Sequence, residues 1–558
     1  MKTASPFQLI SAALLRTVSF PIRRALQFRI QRRMKRAQVL HVELTPQNIH
    51  HWRVGTPHWE GLRSIGTCDH IGTIWITIKV PPLGWSSIWS FRKLLLELKG
   101  AGKRLLVLIE SSDARAIGMA ACADKIWLQD GVELFWSGIG GRHNFYGAVL
   151  ERYGIQADVV AAGAFKSFGE QFTRTEPSEA NRTQLLELYD SLYQVLLENI
   201  SSDSQLDTAR LDAVLRDSPI SVERLQESGL IEGNGNAFEI RERIQEYTSR
   251  KVKPIPFVQY LNAKRWVKWW TWGRVGTTIA VLHLDGSIVD FEQDQQGIVA
   301  DRVVKQLERF MEMPSIEGVV LKINSPGGSA VASDRIATAI EKLKQNKKVV
   351  AYMENVAASG GYYISAVTDW IWASPQTITG SIGVVGGKLV VGQALRDQGV
   401  QGHILNVGGD SSFMDYWSPF SDEQRSRFRE FLSRTYHRFK WIVSKGRRMS
   451  MEGVESVAQG RVWTGTQALE VGLVDELGGL DACLIDLANR LGYSEESMNV
   501  VHFRTAPRGW RRWRKKLLGL ESTVIETQLM AHSPLLLQML QMYPNRGLVL
   551  LPFDVEGQ

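Results

Sequence analysis

A chain of 558 residues is too long for one hydrophobic core, and 44% apolar with 22% charged residues is the composition of a folded protein, which excludes global disorder. Three cysteines, Cys68, Cys122 and Cys483, are odd in number, far apart and without metal-ligand spacing, so neither a disulfide framework nor a zinc site is indicated. The formal charge of +8 is concentrated at the start: residues 1–42 hold nine Lys or Arg and no acid, which leaves the remainder at −1.

That leader interleaves Arg16, Arg23, Arg24, Arg29, Arg32 and Arg33 with Leu9, Leu14, Leu15, Phe20, Leu26 and Phe28. No stretch of about 18 residues is free of charge, so the pattern fits a basic amphipathic helical segment on an anionic membrane surface better than a spanning helix. A disordered basic tail is the alternative. The segment and an irregular lead-in occupy residues 1–65. From residue 66 strands and helices alternate: a strand from Thr73 to Val80, a helix from Ser90 to Leu98, a strand from Leu105 to Ile109 and a short one at Ile126 and Trp127. This is the pattern of a parallel sheet with crossover helices.

A first α/β domain spans residues 66–250 and contains GAFKSFGEQFTR, Gly163 to Arg174, with Lys166 between two phenylalanines. Taken alone, such a lysine reads as a surface side chain whose stem lies on apolar neighbours. Residues 251–276 form a linker rich in tryptophan, lysine and arginine. A second cluster, Arg508 to Lys516, opens a basic and apolar tail over 501–558. Tryptophan with arginine suits a membrane headgroup layer or a protein contact; no recognition motif accompanies it, so nucleic acid is not expected. The tail is expected to dock on the body or on a neighbouring subunit.

The second domain, 277–500, contains a strand from Val319 to Ile323, a corner Asn324-Ser325-Pro326-Gly327-Gly328, and a helix from Ala330 to Leu343. A further strand, Val349 to Met353, leads through Glu354 to Ser359-Gly360-Gly361 and another short helix. Glycines at a strand-to-helix corner let backbone N–H groups approach a bound anion, and a helix N-terminus favours negative charge there. Ser359 by itself reads as a helix N-cap, among the commonest roles of serine. The halves repeat: Glu110 aligns with Glu354 at an offset of 244 and Trp127 with Trp372 at 245. The first copy has Ala114 or Arg115 at the serine position. Lys166, shifted by the same 245, falls on Ser411, so each copy lacks what the other keeps.

The blocks NSPGGS, AASGGYY, TITGSIGV and GRVWTGTQALEVGLVDELGG, in this order, resemble the signal peptide peptidase A family, membrane-associated serine proteases with the ClpP/crotonase fold. The resemblance spans about residues 70 to 500. It implies an α/β fold of tandem duplicated ClpP/crotonase-like domains built from repeated ββα units. It also implies Ser359 as nucleophile, Lys166 as general base, Ser381 as the hydroxyl that orients the lysine, and the amides of Gly360 with Gly327 or Gly328 as the oxyanion hole. In the lysine block Phe165 replaces the family tyrosine and Gln171 its proline, and many relatives carry a spanning anchor that this leader does not match. By the same resemblance the substrates are cleaved signal peptides and other apolar peptides, the assembly is a homotetramer, and the location is the bacterial inner membrane. No cofactor or metal is called for. His283 and His403 are the rival bases. A crotonase-like acyl-CoA enzyme and a non-catalytic membrane scaffold of the same fold remain the alternatives. Whether Ser359 meets Lys166 of its own chain or of a neighbour is left open.

Overall fold

A computed structural model describes residues 39–82, 84–248, 254–268, 278–290, 297–495, 498–504 and 548–549. The basic leader up to residue 38, the tryptophan-rich stretch 269–277 and the Arg508 to Lys516 cluster lie outside the described residues. Among those described, no helix is long and apolar enough to cross a membrane.

The described residues form two compact units, one from residues up to 83, 87–138 and 196–275, the other from 84–86, 139–195 and 276–558. The segment that carries Lys166 therefore belongs to the same unit as Ser359. Both units are α/β with parallel sheets, as the repeat implies.

In the first unit six strands run in the order Gly233–Asn234, Lys125–Leu128, Arg104–Ile109, Thr73–Ile78, Val39–Leu44 and Ile255–Pro256, every pair parallel. Strands covered on both faces read as continuous apolar runs, and all six residues of Thr73–Ile78 are buried. Residues 43–65, expected to be irregular, are not. The strand Val39–Leu44 ends within them, and the helix Pro57–Arg63, capped by Thr56, buries Trp59 and Leu62. Short elements beside a charged leader carry too few turns to show a period.

In the second unit the main sheet runs Val462–Thr464, Ile378–Gly380, Lys348–Ala358, Ile316–Ser325, Thr278–Asp285 and Asn499–Arg504. Its three central strands are parallel, in a register that sets Val320 beside Val281 and Val350. The helix Ala330–Lys344, N-capped by Ser329, packs Ile336, Ile340 and Leu343 onto one face. The long helix Asp422–Arg447 starts with a capping box of Ser421 and Gln424 and adds Phe428, Leu432, Phe439 and Val443 to the same core. An antiparallel ribbon joins Gln156–Ala162 to Val384–Val390, from Val390 opposite Gln156 to Val384 opposite Ala162. The ribbon thus brings the chain leading into Lys166 alongside the chain leaving Ser381. Leu188 and Leu192 from the lysine segment pack against Ala358, Ile378 and Val462. From the tail, Leu548–Val549 lies antiparallel on Gly328–Ser329.

A buried ion pair joins the two strands that end at the site: the Lys322 ammonium donates to Glu354, both side chains 2% exposed. In the first unit Glu110 lies 3.8 Å from Lys79, both far more exposed, but the register of the strands places Thr77, not Lys79, at the position of Lys322.

Candidate active site

Ser359 ends the strand Lys348–Ala358 and precedes the helix Gly360–Ala366. It holds the N-cap position, yet its hydroxyl makes no capping bond. Its backbone is left-handed, at φ 53°, and its amide donates to the Gly380 carbonyl at 2.9 Å. Because the side chain is turned away from the helix, the capping role open in the sequence is not the one it performs.

The Ser359 hydroxyl meets Lys166 of the same chain instead. The Lys166 Nζ lies 3.0 Å from the Ser359 Oγ, 3.0 Å from the Ser381 Oγ and 3.0 Å from the Ser381 carbonyl oxygen. Lys166 is 3% exposed and both serines are fully buried. Burial lowers the amine from the ordinary lysine value of 10.5 to about 7, and no carboxylate opposes that shift. A lysine in this setting is unprotonated over a substantial part of the neutral range. Phe165, in the family's tyrosine position, lies under the Arg461 guanidinium at 5.6 Å, and Phe168 stacks edge-on with Phe172.

Ser381 also has a left-handed backbone, at φ 50°, and its amide donates to the Arg461 carbonyl at 2.7 Å. Such conformations cost about 1–3 kcal/mol each for non-glycine residues and cluster at functional sites, where the surroundings enforce them. Three of the five non-glycine residues of positive φ among those described are Ser359, Ser381 and Gln459, all within this cluster.

The glycine corner closes the cluster. Gly327 and Gly328 have φ of 110° and 149°, and a Cβ on Gly328 would stand 2.1 Å from the Ile288 carbonyl oxygen, so only glycine fits. A Cβ on Gly360 would lie 3.3 Å from the Gly328 nitrogen and 3.3 Å from the Gly327 Cα, which brings the corner and the serine turn into contact. The Gly327 amide donates to the Ser325 Oγ at 3.2 Å.

The rival histidines sit elsewhere. His283 Nε2 is 2.9 Å from His502 Nδ1 on neighbouring strands of the sheet, where burial first and Lys322 second lower its pKa to about 2, and His403 is exposed in the loop after residue 400. Neither is bonded to Ser359. Gln184 and Gln459, which the sequence reading passed over, grip the lysine loop: Gln184 Nε2 donates to the Phe165 carbonyl at 3.1 Å, and the Gln459 carbonyl accepts from the Phe165 amide at 2.7 Å. Gln459 directly precedes the GRVWTG block, and that adjacency was the only available signal.

The sequence model of peptidase family S49 matches residues 97–251 and again 341–493, and that of Clp protease matches residues 274–370. The chloroplastic serine protease SPPA of Arabidopsis thaliana is 28% identical over 420 residues, covering 73% of this chain and 62% of the plant protein. Protease 4 of Salmonella typhi is 28% identical over 405 residues, covering 70% and 64%, and Protease 4 of Haemophilus influenzae 28% over 407 residues, covering 69% and 64%. The chain thus spans less than two thirds of the length of each of these relatives. Two family matches, one in each half of the repeat and together covering more than half of the residues, mean that this chain belongs to peptidase family S49.

Proposed function

We propose that this chain is a serine endopeptidase that works through a Ser359/Lys166 dyad on apolar peptides at a membrane surface. One observation carries the reading: a buried lysine nitrogen 3.0 Å from a serine oxygen, with burial holding its pKa at about 7. A serine hydroxyl attacks a carbonyl only when a base takes its proton, and an amine with a pKa near the working pH is suited to that task.

In the reaction, the neutral Lys166 amine accepts the Ser359 proton as Oγ bonds to the peptide carbonyl carbon. The Gly360 amide and one amide of the glycine corner stabilise the resulting oxyanion, about 3 kcal/mol for each donor. Either corner amide is a candidate: Gly327 donates to the Ser325 hydroxyl, and Gly328 pairs with Val549 of the tail. As the C–N bond breaks, the Lys166 ammonium returns the proton to the departing amine. Water then attacks the acyl group, Lys166 takes its proton, and Ser359 leaves with that proton restored. Ser381 accepts from the ammonium through both its hydroxyl and its carbonyl, which holds the amine over Ser359 in each half-reaction.

A substrate strand is expected on the edge formed by Gly328 and Ser329, by strand addition. The extended Leu548–Val549 segment, antiparallel on those residues, supports this mode. The basic leader supports a membrane-associated enzyme acting on cleaved signal peptides at the bacterial inner membrane, and the family resemblance supports a homotetramer. Ser359→Ala and Lys166→Ala are each expected to abolish peptide hydrolysis while leaving the thermal transition in place. Full activity in either variant refutes the dyad.

A further inference from the structure

The residues that bring Lys166 and Ser381 together lie nearly 300 positions after the lysine. Three consecutive residues do it. The Gln459 Oε1 accepts from the Ala164 amide at 3.0 Å and its carbonyl accepts from the Phe165 amide at 2.7 Å, so one residue takes two successive donors of the lysine loop. The Gly460 amide donates to the Ile382 carbonyl at 2.8 Å, and a Cβ there would fall 2.6 Å from the backbone nitrogen of Lys166. The Arg461 carbonyl accepts from the Ser381 amide at 2.7 Å. Residues 459–461 are thus a splint, with the lysine loop bonded to its first residue and the Ser381 strand to its last two.

Gln459 is itself held in an unfavourable conformation, at φ 56°. Its amide donates to the Tyr436 hydroxyl at 3.0 Å and its Nε2 to the Glu455 carboxylate, which also accepts from Lys440. A long polar side chain kept in a left-handed turn, where glycine or asparagine would fit without strain, indicates that the side chain has a task.

We propose that Gln459 is a positioning residue of the active site, which fixes the Lys166 loop against the Ser381 strand and thereby keeps the lysine amine dry and in reach of Ser359. The inference rests on the Ser359/Lys166 reading. Gln459→Gly keeps the turn and removes the Ala164 contact; Gln459→Asn also accepts the turn, but its side chain is one methylene too short to make that contact. In both variants the loop loosens, water reaches the amine, and its pKa moves back toward that of an ordinary lysine.

The test measures the reactivity of the Lys166 amine toward a small acylating reagent across pH, read by peptide mapping, together with the pH profile of kcat. In the wild type both midpoints fall near pH 7. In both variants they are expected to rise by about one unit, with kcat at pH 7 reduced roughly fivefold, as the neutral share of the amine falls from about a half to about a tenth, KM within about twofold, and kcat recovered above pH 9. Unmoved midpoints in variants that fold overturn the role of Gln459, even if kcat falls. A wild type with no midpoint near 7, or an active Lys166→Ala enzyme, overturns the dyad instead.

Discussion

At the scale of single residues the site depends on an amine deprived of water. Burial lowers the Lys166 pKa in the folded chain to about 7, whereas the unfolded chain restores the ordinary 10.5. Between those values the unfolded state binds one more proton than the folded state, so stability rises with pH across that window. Below about pH 7 folding bears the full cost of burying an ammonium. Lys166→Met, close in volume and uncharged, is therefore expected to melt above the wild type at pH 6 and to lose that advantage progressively toward pH 9, as read by calorimetry. A difference independent of pH would mean that the amine is not buried as described. Ser359, Lys166 and Ser381 were each singled out in the sequence by short blocks, those around the serines intact and that around Lys166 altered at Phe165 and Gln171, and the structure brings the three side chains together. Gln459 was not, since its contribution depends on a backbone angle and on contacts with residues nearly 300 positions away.

At the scale of elements, the strands Ile316–Ser325 and Lys348–Ala358 deliver the glycine corner and the serine to one edge of the sheet, and the Lys322–Glu354 pair ties them together below it. Removing one member of a buried pair strands the other charge, at about 3–5 kcal/mol, whereas replacing both with apolar residues of similar size is close to neutral. Lys322→Met is accordingly expected to lower unfolding stability by that amount, and Lys322→Met with Glu354→Leu to recover most of it, measured by urea denaturation. The core strands were legible as apolar runs, and the helix expected from Ala330 to Leu343 ends one residue later, at Lys344. Helical spacing marked that helix clearly. The buried pair was less legible, because a lysine in an apolar run reads as a break, and the first copy has Thr77 at the position of Lys322. The short strand Val39–Leu44 escaped notice beside the charged leader.

At the scale of the whole molecule, duplication left one copy with the serine and a segment after the other with the lysine. The repeat and the family were both visible in the sequence. What the repeat alone did not reveal is that residues 139–195 pack in the unit of the second copy, since helix and strand periods carry no information on which sheet a segment joins. Because Lys166 and Ser359 meet within one chain, a mixture of Lys166→Ala and Ser359→Ala proteins, refolded together, is expected to remain inactive in a peptide-hydrolysis assay. Recovery of up to a quarter of wild-type activity would instead indicate a dyad shared between chains. The central claim, that a neutral Lys166 activates Ser359, is tested most directly by the rate at which a peptidyl phosphonate labels Ser359 as pH is varied, with the modified residue identified by peptide mapping. The account predicts a rate that rises with pH to a plateau with a midpoint near 7 in the wild type, and negligible labelling in Lys166→Ala. Labelling of the Lys166→Ala protein at the wild-type rate, or none of the wild type at any pH, would contradict it.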